Sequence, residues 1–174
     1  VYKRQATYND KLTETDPELA EIFGNFAFGD VQQYGKLNTR NRILVTMASA
    51  IATNSVTEYR KTLYAAFSNG ITPIEIKEVL YHAVPYAGMS RIEDLLEIAN
   101  SFFTEKGIEL PLASQSVVTS ETRMEKGLAL QKSIFGNQID KMYETSPANQ
   151  LHIQQYLSAN CFGDYQTRPV FDAQ

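Results

Sequence analysis

One segment of the sequence is the most informative about the fold class, and it also carries the residues best suited to catalysis. It reads Thr72-Pro-Ile-Glu-Ile-Lys-Glu-Val-Leu-Tyr-His-Ala-Val-Pro-Tyr-Ala-Gly88. Its first four residues form a capping box, in which the Thr72 side chain caps a free backbone N–H and Glu75 reaches back to the cap residue. Asn69-Gly70, just before it, is typical of a left-handed helix end. Pro85 indicates the last turn or the end of the helix. The segment therefore predicts one well-bounded helix that follows the end of another.

Further helices are predicted on both sides of this segment. Two more capping boxes, Ser55-Val-Thr-Glu58 and Ser90-Arg-Ile-Glu93, open the neighbouring helices. Upstream, Asp16-Pro17 begins a helix that Gly29-Asp30 is expected to end. The helix at 38–52 is expected to be central, because its apolar residues wrap most of its circumference. Since no stretch alternates like a strand, the fold class is all-α, with helices at about 16–28, 38–52, 55–69, 72–85, 90–107, 121–135, 138–143 and 148–162.

The composition is that of an ordinary globular protein. The chain has 174 residues, 43 % apolar and 21 % charged, which argues against a largely disordered chain. A net charge of −4 disfavours a nucleic-acid-binding role or a polybasic membrane anchor. The single cysteine, Cys161, excludes an internal disulfide or a Cys-x-x-Cys site within this sequence. The apolar runs are too short to cross a bilayer and no secretory signal opens the sequence, so we expect a cytoplasmic protein.

An internal repeat predicts how the chain is organised. Phe26-Ala-Phe-Gly-Asp30 and Asn160-Cys-Phe-Gly-Asp164 lie 134 residues apart, and at the same offset Leu37 faces Phe171. Such self-similarity indicates two copies of one structural unit. The domain prediction is an N-terminal segment at 1–14 (with 1–5 read as a non-native extension), a first repeat at 15–107, a linker at 108–119 and an incomplete second repeat at 120–174.

The helix that begins at Thr72 carries the residues best suited to acid–base chemistry. Glu78 and His82 are four residues apart and therefore share a helix face. A carboxylate partner fixes the imidazole tautomer and favours its protonated form, so the pair can act as a general acid or base. Tyr86 lies one turn later and can add a hydroxyl donor. Arg42, in the helix at 38–52, can bind a substrate carboxylate through two N–H groups.

Structural roles are the alternative for each of these residues. A Glu–His pair at this spacing is common on half-buried helices, and arginines near a helix start often form salt bridges with neighbouring glutamates. Metal binding by Glu75, Glu78 and His82 has a suitable spacing but lacks ligands from other elements. Cys161 is expected to be a buried, inert thiol, and His152 to face solvent. We therefore predict no metal and no cofactor.

Three stretches carry a family resemblance. They are Leu37-Asn-Thr-Arg-Asn-Arg42-Ile-Leu-Val-Thr46, the run from Ala65 through Gly70 to His82, and Tyr86-Ala-Gly88. Together they resemble the carboxymuconolactone decarboxylase family, in the superfamily of the alkylhydroperoxidase AhpD, and residues 160–165 are similar to a run in its tandem-domain members. The resemblance implies an AhpD-like fold, in which a helical hairpin packs into oligomers or tandem pairs.

The chain also departs from the family at positions that matter for chemistry. AhpD-type peroxidases carry Cys-x-x-Cys before a histidine, whereas the first repeat here has no cysteine. Family decarboxylases often have a histidine where this chain has Thr62, and a glutamate where it has Ile43. Arg42, Glu78 and His82 match the family pattern.

The resemblance implies a cofactor-free decarboxylase of a small carboxylated lactone. In that reaction His82 would deliver a proton, Glu78 would orient it, Arg42 would bind the substrate carboxylate and Tyr86 would add a donor. Two alternatives stay open: an alkylhydroperoxidase or peroxiredoxin activity, and a non-catalytic helical oligomerisation module. The predicted partner is a small carboxylic acid or lactone, with no nucleic acid and no membrane. Apolar faces left uncovered by an incomplete second repeat predict a homo-oligomer.

Overall fold

A computed structural model describes residues 10–171, so the expectation for residues 1–5 lies outside the described part. The chain divides into two compact units, one up to Asn38 and one from Thr39 onward. Between residues 10 and 171 there is no strand, which confirms the all-α fold class. In the same range, no helix combines the length and the apolar character that crossing a bilayer requires.

The first unit is a run of short helical segments. It comprises α1 (Asp10–Thr15), α2 (Pro17–Asn25), a π-helical segment π1 (Phe26–Asp30) and α3 (Val31–Tyr34). The prediction that Gly29-Asp30 ends the helix is wrong. Asp30 keeps right-handed helical backbone angles (φ −62°, ψ −49°), and the chain leaves the helix only at the extended Gly35. A glycine permits a helix to end but does not force it to, because it also adopts helical angles.

The second unit is built on four helices that share one core. They are α4 (Thr39–Ala52), α5 (Val56–Ser68), α6 (Pro73–Ala87) and α7 (Met89–Glu105), in which α4 packs on α5 and α6, and α6 packs on α7. Large apolar side chains fill the space between them. The fully buried ones are Met47, Ile51, Tyr59, Leu63, Ile76, Leu80, Ile92, Leu95 and Phe103. Burial of this apolar surface stabilises the bundle.

Helix α4 is buried on one side only, so the prediction of a central helix is wrong. Ile43, Met47 and Ile51 face the core, whereas Val45 and Ala48 on the other side are exposed. The wide apolar surface of α4 is divided between two environments. One side packs in the bundle, and the other side lines an open cavity.

Only one of the three predicted capping boxes forms. The Glu75 N–H donates to Thr72 Oγ1 at 3.2 Å, and the Thr72 N–H donates to Glu75 Oε2 at 2.7 Å. Ser55 precedes α5 without a side-chain cap bond. Ser90 lies inside α7, because Gly88, at φ +85°, turns the chain and lets the helix begin one residue before Ser90.

The remaining helices follow a long connection, which includes the predicted 108–119 segment. They are α8 (Arg123–Phe135), α9 (Gln138–Thr145), α10 (Leu151–Tyr156) and a second π-helical segment π2 (Leu157–Gln166). Segment π2 packs along α8 and also touches α6. Its contact with α8 is close because Gly127 and Gly163 bring the two backbones together. The second half of the chain thereby reaches the helix that carries His82.

The two stretches related by the 134-residue offset share local structure. Helix α2 begins at Pro17 and helix α10 at Leu151, which are 134 residues apart, and both Phe-Gly-Asp triplets lie in π-helical backbone. The division into tandem repeats at 15–107 and 120–174 stays a prediction.

Candidate functional site

An open cavity of about 480 Å³ lies beside α6 and is mostly apolar. Side chains from α4, α6 and α7 form its wall, together with Phe171. The lining residues are Leu44, Val45, Ala48, Ala52, Val79, His82, Ala83, Tyr86, Ala87, Arg91 and Phe171. Small-molecule sites are commonly concave, apolar and equipped with a few polar groups, and this cavity fits that description.

His82 is the titratable group set deepest in this wall, with a side chain 17 % exposed. Its Nδ1 lies 2.8 Å from the backbone carbonyl oxygen of Glu78, and its ring packs edge-on against Phe171 at a centroid distance of 5.5 Å. A carbonyl can only accept, so Nδ1 carries a proton and donates it. Nε2 makes no hydrogen bond to any described residue, and it is the ring nitrogen left to meet a ligand.

Glu78 is one turn before His82 and is buried, with a side chain 2 % exposed. Its two carboxylate oxygens accept hydrogen bonds from Arg168 Nε and Nη2, both at 2.7 Å. The closer carboxylate oxygen is 3.7 Å from His82 Nδ1. The part of Glu78 that contacts His82 most closely is therefore its backbone carbonyl, which bonds to Nδ1. The Glu78 carboxylate instead bonds to Arg168.

Tyr86 lies on the same helix at the rim of the cavity and is largely exposed. Its hydroxyl accepts a long contact from Cys161 Sγ at 3.8 Å and one from Gln166 Nε2 at 3.4 Å. Partial burial of the Tyr86 hydroxyl and the neighbouring Cys161 raise the pKa of Tyr86, so the hydroxyl stays protonated near neutral pH. Cys161 is buried as predicted, and burial raises the pKa of its thiol.

The cation in this cavity is Arg91, and Arg42 is not among the lining residues. Arg91 donates one hydrogen bond from Nη1 to the Ala52 carbonyl at 3.1 Å, and no other side-chain N–H of Arg91 bonds to a residue between 10 and 171. Arg40 instead bonds to Glu75, with Nε 2.9 Å from Oε1. The Glu75 carboxylate therefore bonds to Thr72 in the capping box and to Arg40, and it does not bond to His82.

The structure thus unites three of the four predicted site residues and adds three that the sequence did not single out. His82, Glu78 and Tyr86 lie together because they share one face of α6. The added residues, Arg91, Arg168 and Phe171, come from other parts of the chain. No motif marks Arg168, and at the 134-residue offset its counterpart is Tyr34.

The remaining titratable residues do not gather into a metal site. Across residues 10–171, no group of three or more His, Cys, Asp and Glu side chains is arranged to hold a metal ion. His152 is exposed and packs against Tyr156 rather than against any part of the cavity.

Together these elements give an all-α protein with an open, mostly apolar cavity that one histidine lines. Comparison with known proteins extends this description. The model of the Carboxymuconolactone decarboxylase family matches residues 17–101. A 4-carboxymuconolactone decarboxylase from Acinetobacter baylyi is 31 % identical over 99 residues, which cover 57 % of this chain and 74 % of that protein. The chain belongs to the carboxymuconolactone decarboxylase family.

Proposed function

We propose that the protein is a cofactor-free decarboxylase of a small lactone that bears a carboxylate, with His82 as the proton donor. One observation carries the proposal: His82 stands in the wall of an apolar cavity with Nδ1 held by a carbonyl, and Arg91 stands in the same wall. Family membership supports it, and the A. baylyi relative suggests 4-carboxymuconolactone as the first substrate to test.

The reaction begins when the protein holds the substrate carboxylate. The bond between the ring carbon and the carboxyl carbon then breaks, and carbon dioxide leaves. The electron pair of that bond stays on the lactone, where it is delocalised, and a proton then adds to carbon. An apolar cavity favours the loss of the charged carboxylate, because burial penalises the charged group more than the neutral carbon dioxide.

His82 is placed to deliver the proton. Because Nδ1 already donates to the Glu78 carbonyl, the proton available to the substrate is the one on Nε2 of the imidazolium form. After transfer, the neutral ring keeps its Nδ1 hydrogen bond, so its orientation is unchanged. Tyr86, whose hydroxyl is protonated, stands at the rim as an additional donor to a lactone oxygen.

Arg91 is better placed than Arg42 to bind the substrate carboxylate. Its guanidinium lines the cavity, and the Ala52 carbonyl takes up only one of its N–H groups. An arginine can therefore still offer paired donors to a carboxylate. The role predicted for Arg42 stays a prediction.

The test is the decay of absorbance of 4-carboxymuconolactone with the wild-type protein and with His82→Ala. General acid catalysis contributes about 100- to 10,000-fold, so kcat should fall by at least about 100-fold. The matched control is His152→Ala, which removes the exposed histidine and should leave kcat unchanged. A His82→Ala protein with near-wild-type turnover would refute the proposal. Helical circular dichroism confirms that each variant is folded.

A second pair of variants separates the two arginines. Removing a hydrogen bond to a charged group costs about 1.5–3 kcal/mol, so Arg91→Ala should raise KM by about 10- to 100-fold. Arg42→Ala should change KM by less than about threefold. The reverse pattern would assign the carboxylate to Arg42.

No specific observation favours the two alternatives. A thiol peroxidase of the AhpD type needs paired cysteines, whereas this sequence has only Cys161, whose thiol is buried and protonated at neutral pH. A non-catalytic helical module would not require a histidine in a cavity wall. The homo-oligomer stays a prediction.

A further inference from the structure

The contact between Glu78 and Arg168 joins the two halves of the sequence at the candidate site. The residues are 90 positions apart, and both are nearly buried, with side chains 2 % and 13 % exposed. The pair is bidentate, with two bonds of 2.7 Å, and the Arg168 guanidinium also stacks on the Tyr81 ring at 5.2 Å from its centroid. Such a geometry fixes both side chains and neutralises the carboxylate in place.

This neutralisation bears on His82, because its Nδ1 is only 3.7 Å from the Glu78 carboxylate. An unneutralised carboxylate at this distance would hold the imidazole in its charged form. The surroundings of the ring combine both signs of charge. Among the described residues, the titratable and charged groups facing it or its immediate contacts are Glu78, Tyr81 and Tyr86 on α6, Arg91 on α7, Cys161 and Tyr165 on π2, and Arg168 just after π2. The cavity residues from α4 are apolar.

We propose that Arg168 is a positioning residue for His82: by taking both oxygens of the Glu78 carboxylate, it leaves the imidazole bound to the Glu78 carbonyl and free to lose its Nε2 proton. This inference rests on the proposed function in assigning that proton to catalysis. Arg168 need not touch the substrate, because it acts through Glu78. Phe171, three residues later, packs edge-on against the His82 ring.

The second half of the chain therefore completes the site on the first. Segment π2 and the residues after it supply both Arg168 and Phe171, and π2 is held against α8 by the close glycine contact. At the 134-residue offset, Tyr34 and Leu37 stand where Arg168 and Phe171 do, and neither can neutralise a carboxylate. Of the two positions related by this offset, only Arg168 carries a cation that can pair with the Glu78 carboxylate.

The direct test follows the protonation of His82 by NMR titration of the labelled imidazole, with His152→Ala used to assign the two histidines. Arg168→Gln removes the neutralising charge, so the titration midpoint of His82 should rise by about one pH unit, at the low end of the effect of a nearby opposite charge. Arg168→Lys keeps the charge and should stay much closer to wild type. A midpoint in Arg168→Gln that matches wild type would overturn the proposal.

A double variant keeps the test valid if Arg168→Gln does not fold. In Glu78→Gln/Arg168→Gln both charges are absent, and the two amides can still hydrogen-bond. If Arg168 already neutralises Glu78 in the wild type, the His82 midpoint in the double variant should equal the wild-type value. A fall of about one unit would mean that His82 senses the Glu78 charge in the wild type, which would overturn the proposal.

Kinetics give an independent reading. In Arg168→Gln, the alkaline limb of the kcat profile should move to higher pH. On the acidic plateau, where His82 is protonated in both proteins, kcat should fall by up to about 10-fold while KM changes little, because an imidazolium that is about one pH unit weaker as an acid donates its proton less readily. The NMR shift requires no turnover, so the two proposals can fail separately. Absent turnover with a shifted midpoint refutes the decarboxylase proposal alone, and normal turnover with an unshifted midpoint refutes the role of Arg168 alone.

Discussion

Gly29 and Gly163 occupy the same position in the two Phe-Gly-Asp triplets, yet alanine should have opposite effects at the two sites. A Cβ on Gly163 would lie 2.9 Å from the Arg123 carbonyl carbon and closer still to its oxygen, whereas ordinary contacts begin at 3.4 Å. The backbones of α8 and π2 would have to separate by at least about 0.5 Å. A Cβ on Gly29 would meet nothing within 4 Å.

The cost follows from these distances. Forcing an extra methyl group into a packed contact costs about 1–3 kcal/mol, and here the opposing atoms are backbone, which cannot rotate away. A chain of this size loses about 2–4 °C of melting temperature per kcal/mol, so Gly163→Ala should melt about 2–12 °C lower. Gly29→Ala should be neutral or stabilise its helical segment by up to about 1 kcal/mol, because alanine favours helical backbone.

Thermal unfolding followed by circular dichroism measures both variants. The activity of Gly163→Ala should also fall, since π2 leads to Arg168 and Phe171. Equal melting temperatures for wild type and Gly163→Ala would refute the close packing of α8 on π2. Equal destabilisation by Gly29→Ala would show that the triplet, rather than its surroundings, determines the effect.

Three further predictions concern the bundle. Thr72→Ala should cost about 1 kcal/mol in a urea unfolding experiment, whereas Ser90→Ala should be within about 0.5 kcal/mol of wild type, because only the Thr72 box forms. Burial opposes the ionisation of Glu75, but hydrogen bonds from Thr72 and Arg40 outweigh this effect and lower the pKa of Glu75. The stability that ionised Glu75 contributes should therefore be present at neutral pH and lost as the pH falls through that lowered pKa. Glu75→Gln should remove this pH dependence of the unfolding free energy. Tyr59→Phe should leave stability unchanged or raise it by up to about 1 kcal/mol, since the buried Tyr59 hydroxyl has no hydrogen-bond partner among the described residues; a loss above about 1 kcal/mol would contradict this.

The local sequence predicted most helices but not every cap. Proline and positive-φ glycine signals act within a few residues, so the ends at Gly70 and Gly107 and the start at Pro73 follow from the sequence alone. The capping boxes at Ser55 and Ser90 match the same pattern as Thr72 but do not form. Whether a serine caps depends on where the chain enters the helix, and at Ser90 the turn at Gly88 decides that.

For the site, the sequence by itself determined one helix face. The spacing of Glu78, His82 and Tyr86 places them together on α6, because helical periodicity is a local property. The tertiary structure alone decided that Arg91 lines the cavity and that Arg168 binds Glu78. Those contacts span many residues, and they depend on how α6, α7 and π2 pack, which no local pattern encodes.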